Sequence, residues 1–505
     1  MRRLRRVARR RRHALVASVA GILAVCVAAV AVRALLTGGD AGIRGGVDVD
    51  APVPEAAAEP ALAGMAADDA GIPEEDDVAR SMGPDGAGPE EGGNGAAAPA
   101  PEAVEPRPIS TEGIFPLQDA VPPGERVPKP AAVRGLYLNA WAAGSPKRRA
   151  QLIDLANRTE INAFVIDIKD ASGYVSYRSV VPEVSRIGAD RDIRIRDVRG
   201  MLAELREHGI YPIARIVVFK DPILAERRPD LAIQHVEGGI WRDHNGEVWV
   251  DPHNRQVWEY NIALAREALE LGFSEIQWDY VRFPDVPRRY MATAVYPARE
   301  NGETREQAIR EFLRYSRDEL APLKAPVTAD VFGLTTSAGD DMGIGQRWEM
   351  MVDVTDVLLP MVYPSHYAPG SYGIAHPNAR PYETVKIALE HAIRRTRGVD
   401  GAATIRPWLQ DFTLGWPPYG AVEVRAQIRA VYDVGLDEWV LWNPGSRYTA
   451  GALADASGKA PDLPLPDHGS PPDRRAPDVV TPEPAAARLL GRPVNQAQDT
   501  IPPDR

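Results

Sequence analysis

The stretch EIQWDYVRFP, residues 275–284, has the pattern of a short buried strand that runs into a loop. Glu275, Gln277 and Asp279 stand at alternate positions, so their side chains point to the same face of that strand. Asp279 stands where the strand ends. Because a carboxylate is costly to bury, an acid at this position indicates chemistry rather than packing.

Seven other segments share this pattern of an apolar strand followed by a polar or proline-containing exit. They are Val133–Asn139, Ala163–Asp170, Tyr211–Asp221, Pro326–Phe332, Asp356–Pro364, Ile405–Asp411 and Glu438–Asn443.

Helical patterns with recognisable starts lie between these strands. Ser145 before Pro146, Asp251 before Pro252, and Thr304 with Gln307 are typical of helix N-termini. Eight such β–α units over about 320 residues predict an α/β fold, a (β/α)8 TIM barrel, which we place at residues 129–455. An open doubly wound sheet is the rival fold, but residues 139–144 lack the glycine-rich phosphate turn that it needs.

The N-terminal 32 residues have the pattern of a membrane anchor. Residues 1–13 contain eight arginines, and the 19-residue run 14–32 is apolar and long enough to span a bilayer. The positive-inside rule then puts residues 1–13 in the cytoplasm and the barrel outside it, which predicts a single-pass protein of a bacterial cell membrane. A cleaved signal peptide and a lipoprotein site at Cys26 remain as alternatives.

Two segments have the composition of disordered chain. Residues 33–128 are acidic and rich in Ala, Pro and Gly, and residues 456–505 are rich in proline, so both are predicted to be disordered. Cys26 is the only cysteine, so the fold depends on its core rather than on disulfides.

The acids at the strand ends are the candidate catalytic residues. Asp279 ends the fourth strand and Asp330 lies near the end of the fifth, while Asp170 and Asp411 end the second and seventh. Two carboxyl groups on adjacent strands can stand within the roughly 5 to 9 Å that glycoside hydrolysis requires. We therefore pair Asp279 with Asp330, and the spacing leaves open which of them carries the proton.

Buried acids in a barrel also pair with buried bases for purely structural reasons. Arg215 on the third strand and Lys169 on the second are suitable partners. We interpret Asp167 in this way, whereas Arg215 is kept among the candidate sugar-contacting residues.

Aromatic residues are frequent at the same end of the predicted barrel, and sugar rings stack on such flat apolar faces. Trp278 alternates out of phase with Asp279 and is expected to pack under a helix. His366 follows the sixth strand and is a candidate donor to a sugar hydroxyl. The aromatic residues on or just after strands are Trp278, Tyr363, Tyr367, Trp408, Trp416 and Trp442.

A hairpin is predicted over Gly239–Val250, around the Asn245-Gly246 turn. It is expected to rise over the barrel mouth and to present Trp241 and Trp249 as a substrate wall. Asp251 follows it, as an N-cap or as a substrate contact.

Other chemistries lack their motifs. The chain has no His-Glu-x-x-His, no cysteine pair, no Walker loop and no Gly-x-Ser-x-Gly elbow. No metal or other cofactor is predicted, and an acidic exported domain is not expected to bind nucleic acid.

Several of these motifs, in this order, resemble the putative glycoside hydrolase domain family of bacterial, often exported proteins. The resemblance covers about residues 131–450. It implies a TIM barrel distantly akin to the alpha-amylase-like glycosidases, in which the fourth-strand carboxylate is commonly the nucleophile, and so it supports Asp279 in that role. The motifs are Val165–Asp170 with Gly173–Val175, Ile213–Pro222, Glu275–Pro284, Ala329–Gly333 and Pro360–Tyr367.

The sequence thus predicts a membrane-anchored glycoside hydrolase that cleaves a cell-envelope or extracellular polysaccharide outside the cytoplasm. Asp279 is the expected nucleophile or base and Asp330 the acid/base, and Arg282, Tyr363 and His366 are expected to orient the sugar. The alternatives are a catalytically inactive carbohydrate-binding barrel and a scaffold for envelope assembly. The oligomeric state is left open.

Overall fold

The computed structural model describes residues 102–469. The predicted basic segment 1–13, the predicted membrane span 14–32, and the predicted disordered residues 33–101 and 470–505 lie outside these described residues. Within 102–469, no helix is both long and apolar enough to cross a membrane.

Eight parallel strands form a closed barrel, as the sequence predicts. Neighbouring strands follow chain order. Trp408 of the seventh strand pairs with Met361 of the sixth and Val440 of the eighth, and Val440 pairs with Gly135 of the first strand, which closes the ring. Thr404–Ile405 extends the seventh strand, ahead of Arg406 and Pro407. The strands are β1 (Arg134–Leu138), β2 (Ala163–Lys169), β3 (Tyr211–Val217), β4 (Glu275–Asp279), β5 (Val327–Phe332), β6 (Val357–Met361), β7 (Trp408–Gln410) and β8 (Trp439–Trp442).

Helices cover the outside of this barrel, because each strand also has an apolar outward face that must be buried. The helices are α1 (Ala140–Gly144), α2 (Pro146–Arg158), α3 (Pro182–Ile187), α4 (Val198–Glu207), α5 (Pro222–Arg227), α6 (Arg255–Leu271), α7 (Arg288–Met291), α8 (Arg305–Leu320), α9 (Trp348–Met351), α10 (Pro381–Thr396) and α11 (Ala421–Asp433).

Two of the three predicted helix starts are confirmed. Ser145 caps α2, and Thr304 forms a capping box with Gln307 at the start of α8. The third is wrong, because α6 begins later and is capped by Asn254. The carboxylate of Asp251 instead accepts hydrogen bonds from the backbone N–H groups of His253 and Ala298, 3.0 Å each, and so joins two loops.

The ordered region is longer at both ends than the predicted limits of 129 and 455. Ahead of β1, the N–H of Val121 donates to the carbonyl of Glu270 at 2.7 Å, and Arg126 Nη1 donates to the carbonyl of Leu323 at 2.8 Å. After β8, His468 Nε2 lies 2.9 Å from a carboxylate oxygen on α11. Residues 102–128 and 456–469 therefore pack against the barrel instead of being disordered.

The predicted hairpin forms, with antiparallel pairing of Arg242 and Val248 and a turn at Gly246. Its tryptophans do not form a substrate wall. Trp241 is 0% exposed, and its indole N–H donates to Thr293 Oγ1 at 3.1 Å. Trp249 is buried as well, so both rings contribute to packing the hairpin onto the barrel.

The barrel interior has a charged network at the N-terminal ends of the strands. Arg406 Nη1 lies 2.6 Å from Glu275 Oε1, and Arg406 Nε lies 2.8 Å from Glu438 Oε2. Lys129 Nζ lies 2.8 Å from the other oxygen of Glu438. We call Arg406, Glu275, Glu438 and Lys129 the lower network, and it closes the floor of the barrel.

Candidate active site

A second charged network occupies the carboxyl ends of β2 to β5, where a barrel carries its functional groups. The guanidinium of Arg215 on β3 is at its centre. Arg215 Nη1 donates to Asp167 Oδ1 at 2.6 Å, and Arg215 Nε and Nη2 donate to Asp279 Oδ2 at 3.0 and 2.5 Å. Asp330 Oδ2 lies 3.9 Å from Arg215 Nε. We call Arg215, Asp167, Asp279 and Asp330 the upper network.

Asp279 is the last residue of β4 and stands at the junction of strand and loop, as predicted. Its Oδ1 accepts a hydrogen bond from the N–H of Tyr280 at 2.5 Å, and Tyr280 has a φ of 47°, in the left-handed region that non-glycine residues rarely adopt. Such strained residues cluster at functional sites. Asp279 is 6% exposed, and its contact with Arg215 pairs it with a buried cation.

Asp330 lies on β5 next to Asp279, because the register that pairs Gln277 with Thr328 and Trp278 with Ala329 brings positions 279 and 330 to the same level. It is 1% exposed. Trp408 Nε1 donates to its Oδ1 at 2.6 Å, and Gln277 Nε2 lies 3.0 Å from the same oxygen.

Burial and the nearby charge of Asp279 hold the pKa of Asp330 well above its usual value, and Arg215, Trp408 and Gln277 oppose that shift only in part. Asp330 is therefore a carboxyl group that retains its proton at pH values where ordinary aspartates have lost theirs.

The two candidate catalytic acids converge. Asp279 Oδ2 and Asp330 Oδ2 lie 3.0 and 3.9 Å from the same Arg215 Nε, so these two oxygens are at most 6.9 Å apart. Paired glycosidase carboxyls stand about 5 to 9.5 Å apart. One acid that is charge-stabilised beside another that holds a proton is the arrangement that acid–base chemistry on a glycosidic bond needs.

Asp167 is paired with Arg215, as the structural interpretation of the sequence expects. Burial raises the pKa of Asp167 to about 6, although Arg215 and the hydroxyl of Tyr137 oppose the shift. The Tyr137 hydroxyl donates to Asp167 Oδ2. The upper network thus holds three carboxyl groups around one guanidinium.

An aromatic wall stands beside the upper network, on the ends of β1, β6, β7 and β8. The Tyr137 ring stacks on Trp442 with centroids 5.9 Å apart, and Trp442 also contacts Tyr363 and Phe412 at 5.9 and 5.2 Å. His366 packs on Tyr363 at 5.3 Å. We call Tyr137, Tyr363, His366, Phe412 and Trp442 the aromatic wall.

His366 is the exposed member of the wall. Desolvation by the surrounding protein lowers the pKa of His366 to about 4. Solvent at the exposed ring weakens that effect, but the imidazole is mainly neutral at pH 7 in either case and can exchange hydrogen bonds with hydroxyl groups.

Arg282 lies between the ends of β4 and β5 in an aromatic cage. Its guanidinium carbon is 4.7 Å from the ring centre of Tyr280, 4.8 Å from that of Phe332 and 5.1 Å from that of Trp249. Its Nη1 donates to the carbonyl of Phe283 at 3.2 Å. The cage fixes a half-buried cation beside the candidate acids.

Three other predicted substrate contacts are occupied by protein. Arg215 is 1% exposed and fully engaged with carboxylates, so it positions the acids instead of contacting a sugar. Asp411 accepts from the N–H and hydroxyl of Thr449 at 2.8 and 2.6 Å. Asp170 forms an ion pair with Arg194 at the end of β2.

The sequence interpretation missed Tyr137, Phe412 and the supporting role of Gln277. Tyr137 stands two positions after Gly135 on β1 and so lies on the same face of the strand. This spacing is a signal that the side chain of Tyr137 points inward. Among residues 102–469, no group of three or more His, Cys, Asp or Glu side chains could hold a metal ion.

Known proteins similar to this chain include glycosidases. A hypothetical protein of known structure from Ruminiclostridium thermocellum ATCC 27405 is 41% identical over 41% of this chain and 98% of its own, with a TM-score of 0.36. The PgaB (BpsB) glycoside hydrolase domain from Bordetella bronchiseptica is 11% identical over 64% of this chain and 99% of its own, with a TM-score of 0.46. The GH20 exo-β-N-acetylglucosaminidase from Vibrio harveyi is 14% identical over 63% of this chain and 51% of its own, with a TM-score of 0.41. No curated protein sequence matches the chain.

The family model described as "putative glycosyl hydrolase domain" matches residues 135–448, which is more than half of the chain and spans the barrel from β1 to the loop after β8. The chain therefore belongs to the family of putative glycosyl hydrolase domains.

Proposed function

We propose that this protein is a membrane-anchored glycoside hydrolase that cleaves a cell-envelope or extracellular polysaccharide with two carboxyl groups. The observation that carries the proposal is the convergence of Asp279 and Asp330 on Arg215 Nε, with their Oδ2 atoms at most 6.9 Å apart. Family membership supports the same reaction class.

The environments of the two acids suggest different roles. Asp279 accepts hydrogen bonds from the Arg215 guanidinium and from the Tyr280 N–H and stands at the end of its strand, so it acts as the nucleophile or as the base that activates water. Asp330 holds its proton and acts as the acid/base: it gives the proton to the glycosidic oxygen as the bond to the anomeric carbon breaks.

The aromatic wall and the caged arginine suggest how a sugar is held. His366 and Trp442 offer flat faces with polar edges, which suits sugar rings that carry hydroxyl groups around an apolar face. Tyr363 is only 6% exposed and packs against both of them, so it supports these rings instead of contacting the sugar. Arg282 offers a fixed donor on the opposite side, near the ends of β4 and β5.

The test is release of reducing ends from a panel of bacterial envelope and extracellular polysaccharides by the full chain. Asp279→Asn is expected to lower the rate on the cleaved polymer by about 10²- to 10⁴-fold, the contribution of one acid–base or nucleophilic group. Asp285→Asn is the matched control, since Asp285 is exposed on the loop that follows β4. Equal rates for Asp279→Asn and the wild-type chain would exclude Asp279 from the mechanism.

A carbohydrate-binding barrel without turnover is the second candidate, favoured by one observation. The Asp330 side chain is 0% exposed, so a sugar has no direct access to it in this conformation. Polysaccharide binding that survives both Asp279→Asn and Asp330→Asn, with no product after long incubation of the wild-type chain, would support this second candidate over the first.

We also propose that residues 14–32 anchor the barrel outside the cytoplasm. The eight arginines of residues 1–13 and the apolar run that follows them support this orientation. Protease added to intact cells is expected to degrade the barrel domain, and a barrel that is cut only after lysis would contradict the proposal.

A further inference from the structure

Trp141 is the one large aromatic among the exposed large hydrophobic residues of 102–469, with 59% of its surface open to solvent. It lies in α1, directly after the carboxyl end of β1, and therefore on the same end of the barrel as the candidate acids. The alanines on either side of it, Ala140 and Ala142, are buried, so the helix packs through them and presents Trp141 outward.

The Trp141 ring is held in place by a polar cluster from the segment that follows β2. The guanidinium carbon of Arg194 lies 5.2 Å from the Trp141 ring centre and 5.7 Å from that of Tyr174. Arg194 is itself fixed by ion pairs with Asp170 and with Asp192, the latter at 2.9 Å. One side of the indole thus rests on a pinned cation.

The backbone around Trp141 is fixed as firmly. Asn139 caps α1 by accepting from the Ala142 N–H at 2.8 Å, and its own Nδ2 donates to the carbonyl of Pro444 at 2.8 Å. A side chain at Gly144 would meet the Arg194 carbonyl at 1.9 Å, so α1 and the Arg194 segment lie in close contact. The ring is a rigid platform, which limits the entropy lost when a ligand stacks on it.

Trp141 is too remote to contact the sugar at the cleavage point. β1 and β4 are three strand spacings of about 4.8 Å apart around the barrel, roughly 14 Å along its wall. The aromatic wall continues from Trp442 on β8 to Tyr137 on β1, beside the loop that carries Trp141.

We infer that Trp141 is a distal sugar-binding subsite, with its indole supported by the ion-paired Arg194 and with Tyr174 beside it. This inference rests on the proposed function and specifies its substrate: a polymer chain long enough to lie across the mouth from Asp279 to the end of β1, rather than a short sugar held only at the acids. An exposed indole face with the phenol of Tyr174 nearby matches a sugar ring, which has apolar faces and hydroxyl groups at its edge.

The kinetic test compares a long polysaccharide with a short oligosaccharide of the same linkage, both as substrates of the full chain. Trp141→Ala is expected to lower kcat/KM on the polymer about three- to tenfold relative to kcat/KM on the oligosaccharide, the size of one aromatic stacking contact. Trp141→Phe is expected to restore most of this ratio. Val180→Ala, which also removes exposed apolar surface, is the control and should leave the ratio unchanged.

A binding test separates this inference from the hydrolase proposal. Retardation of the Asp279→Asn chain in gels that contain the polysaccharide is expected to weaken three- to tenfold when Trp141→Ala is added. If the wild-type chain cleaves the polymer and neither the ratio nor the retardation responds to Trp141→Ala, the subsite is refuted and the hydrolase proposal stands. If nothing is cleaved but Trp141→Ala weakens retardation, the subsite stands and the hydrolase proposal fails.

Discussion

The lower and upper networks are both built from buried carboxyl groups and cations. They differ in the direction in which the pKa values of their carboxyl groups are shifted. In the lower network two cations, Arg406 and Lys129, face two glutamates. Burial alone acts to raise the pKa of Glu438, but Arg406 and Lys129 outweigh it and the pKa is lowered. The floor is therefore electrically balanced, with two cations for two carboxyl groups.

In the upper network one guanidinium faces three carboxyl groups, so acidic groups outnumber basic groups. Burial raises the pKa of Asp167 to about 6 and that of Asp330 well above the usual range. Excess acid at the carboxyl ends of the strands keeps a proton next to Asp279, on a side chain that is itself buried. The ratio of buried cations to carboxyl groups, rather than the presence of ion pairs, therefore separates the structural end of the barrel from the chemical end.

The largest expected effect comes from exchanging one carboxyl at each end for an amide. Asp330→Asn is expected to lower the rate of polysaccharide cleavage by about 10²- to 10⁴-fold, because the amide cannot deliver a proton. The change in stability is expected to be small, because burial and the charge of Asp279 hold the pKa of Asp330 well above its usual value. Glu275→Gln is expected to reduce stability instead and to leave the folded enzyme active. Cleavage rates and urea unfolding of both variants measure these two effects. An active Asp330→Asn chain would mean that the upper network is no more catalytic than the lower one.

The second-largest expected effect is a loss of stability in the lower network. Arg406→Met is expected to destabilise the fold by about 3–5 kcal/mol, because it leaves Glu275 buried without its cation. Arg429→Met is the control, since the exposed Arg429–Asp433 pair on α11 contributes about 0.5 kcal/mol or less. Urea unfolding of the full chain gives both values. Equal effects of the two substitutions would mean that the floor network does not hold the barrel together.

Much of this contrast was accessible from the sequence, and its limits have physical causes. Alternation along β4 and β5 predicts that Asp279 and Asp330 face inward and meet, because side-chain direction in a strand is local. Alternation along a strand gives the face on which a side chain lies, but not how deeply that side chain is buried in the barrel. The sequence therefore predicts that Arg215 contacts a sugar, whereas three carboxyl groups enclose it. The side of a hairpin that packs is set by distant residues, which is why Trp241 was misplaced.

The error at the domain boundary has a similar origin. Residues 102–128 are held by hydrogen bonds to distant backbone, such as the one from Val121 to Glu270, and by scattered apolar side chains such as Ile109 and Phe115 that reach the core. Composition contains no trace of such bonds. The exposed position of Trp141 was likewise not foreseen, because a lone tryptophan in a short helix has no periodicity from which its exposure can be inferred.

A smaller effect tests the excess of acid at the upper end through pH. The folded-state pKa of Asp167, about 6, exceeds its ordinary value of 3.8, so the folded chain retains a proton that the unfolded chain loses between these pH values. Stability is then greatest below pH 4 with respect to this group and falls as the pH rises to about 6, by on the order of 3 kcal/mol. Asp167→Asn is expected to flatten this fall in unfolding free energies measured from pH 4 to pH 7. An unchanged slope would show that Asp167 is ionised throughout.

The smallest expected effect comes from the loss of a single hydroxyl group. Tyr137→Phe removes the donor to Asp167 and keeps the ring that stacks on Trp442, so the aromatic wall is retained. The lost hydrogen bond is expected to cost about 1–2 kcal/mol at pH 7, where Asp167 is mainly ionised. Since that bond also lowers the pKa of Asp167, the pH-dependent fall in stability should extend to higher pH in the variant. Tyr211→Phe, near the balanced floor, removes a hydroxyl that interacts with the Ser274 carbonyl at 3.4 Å and with Glu275 but not with Asp167. It should therefore leave the pH range of this fall in stability unchanged. A shift of the same size in both variants would mean that the two ends of the barrel respond to protons alike, and the excess of acid at the upper end would then have no consequence.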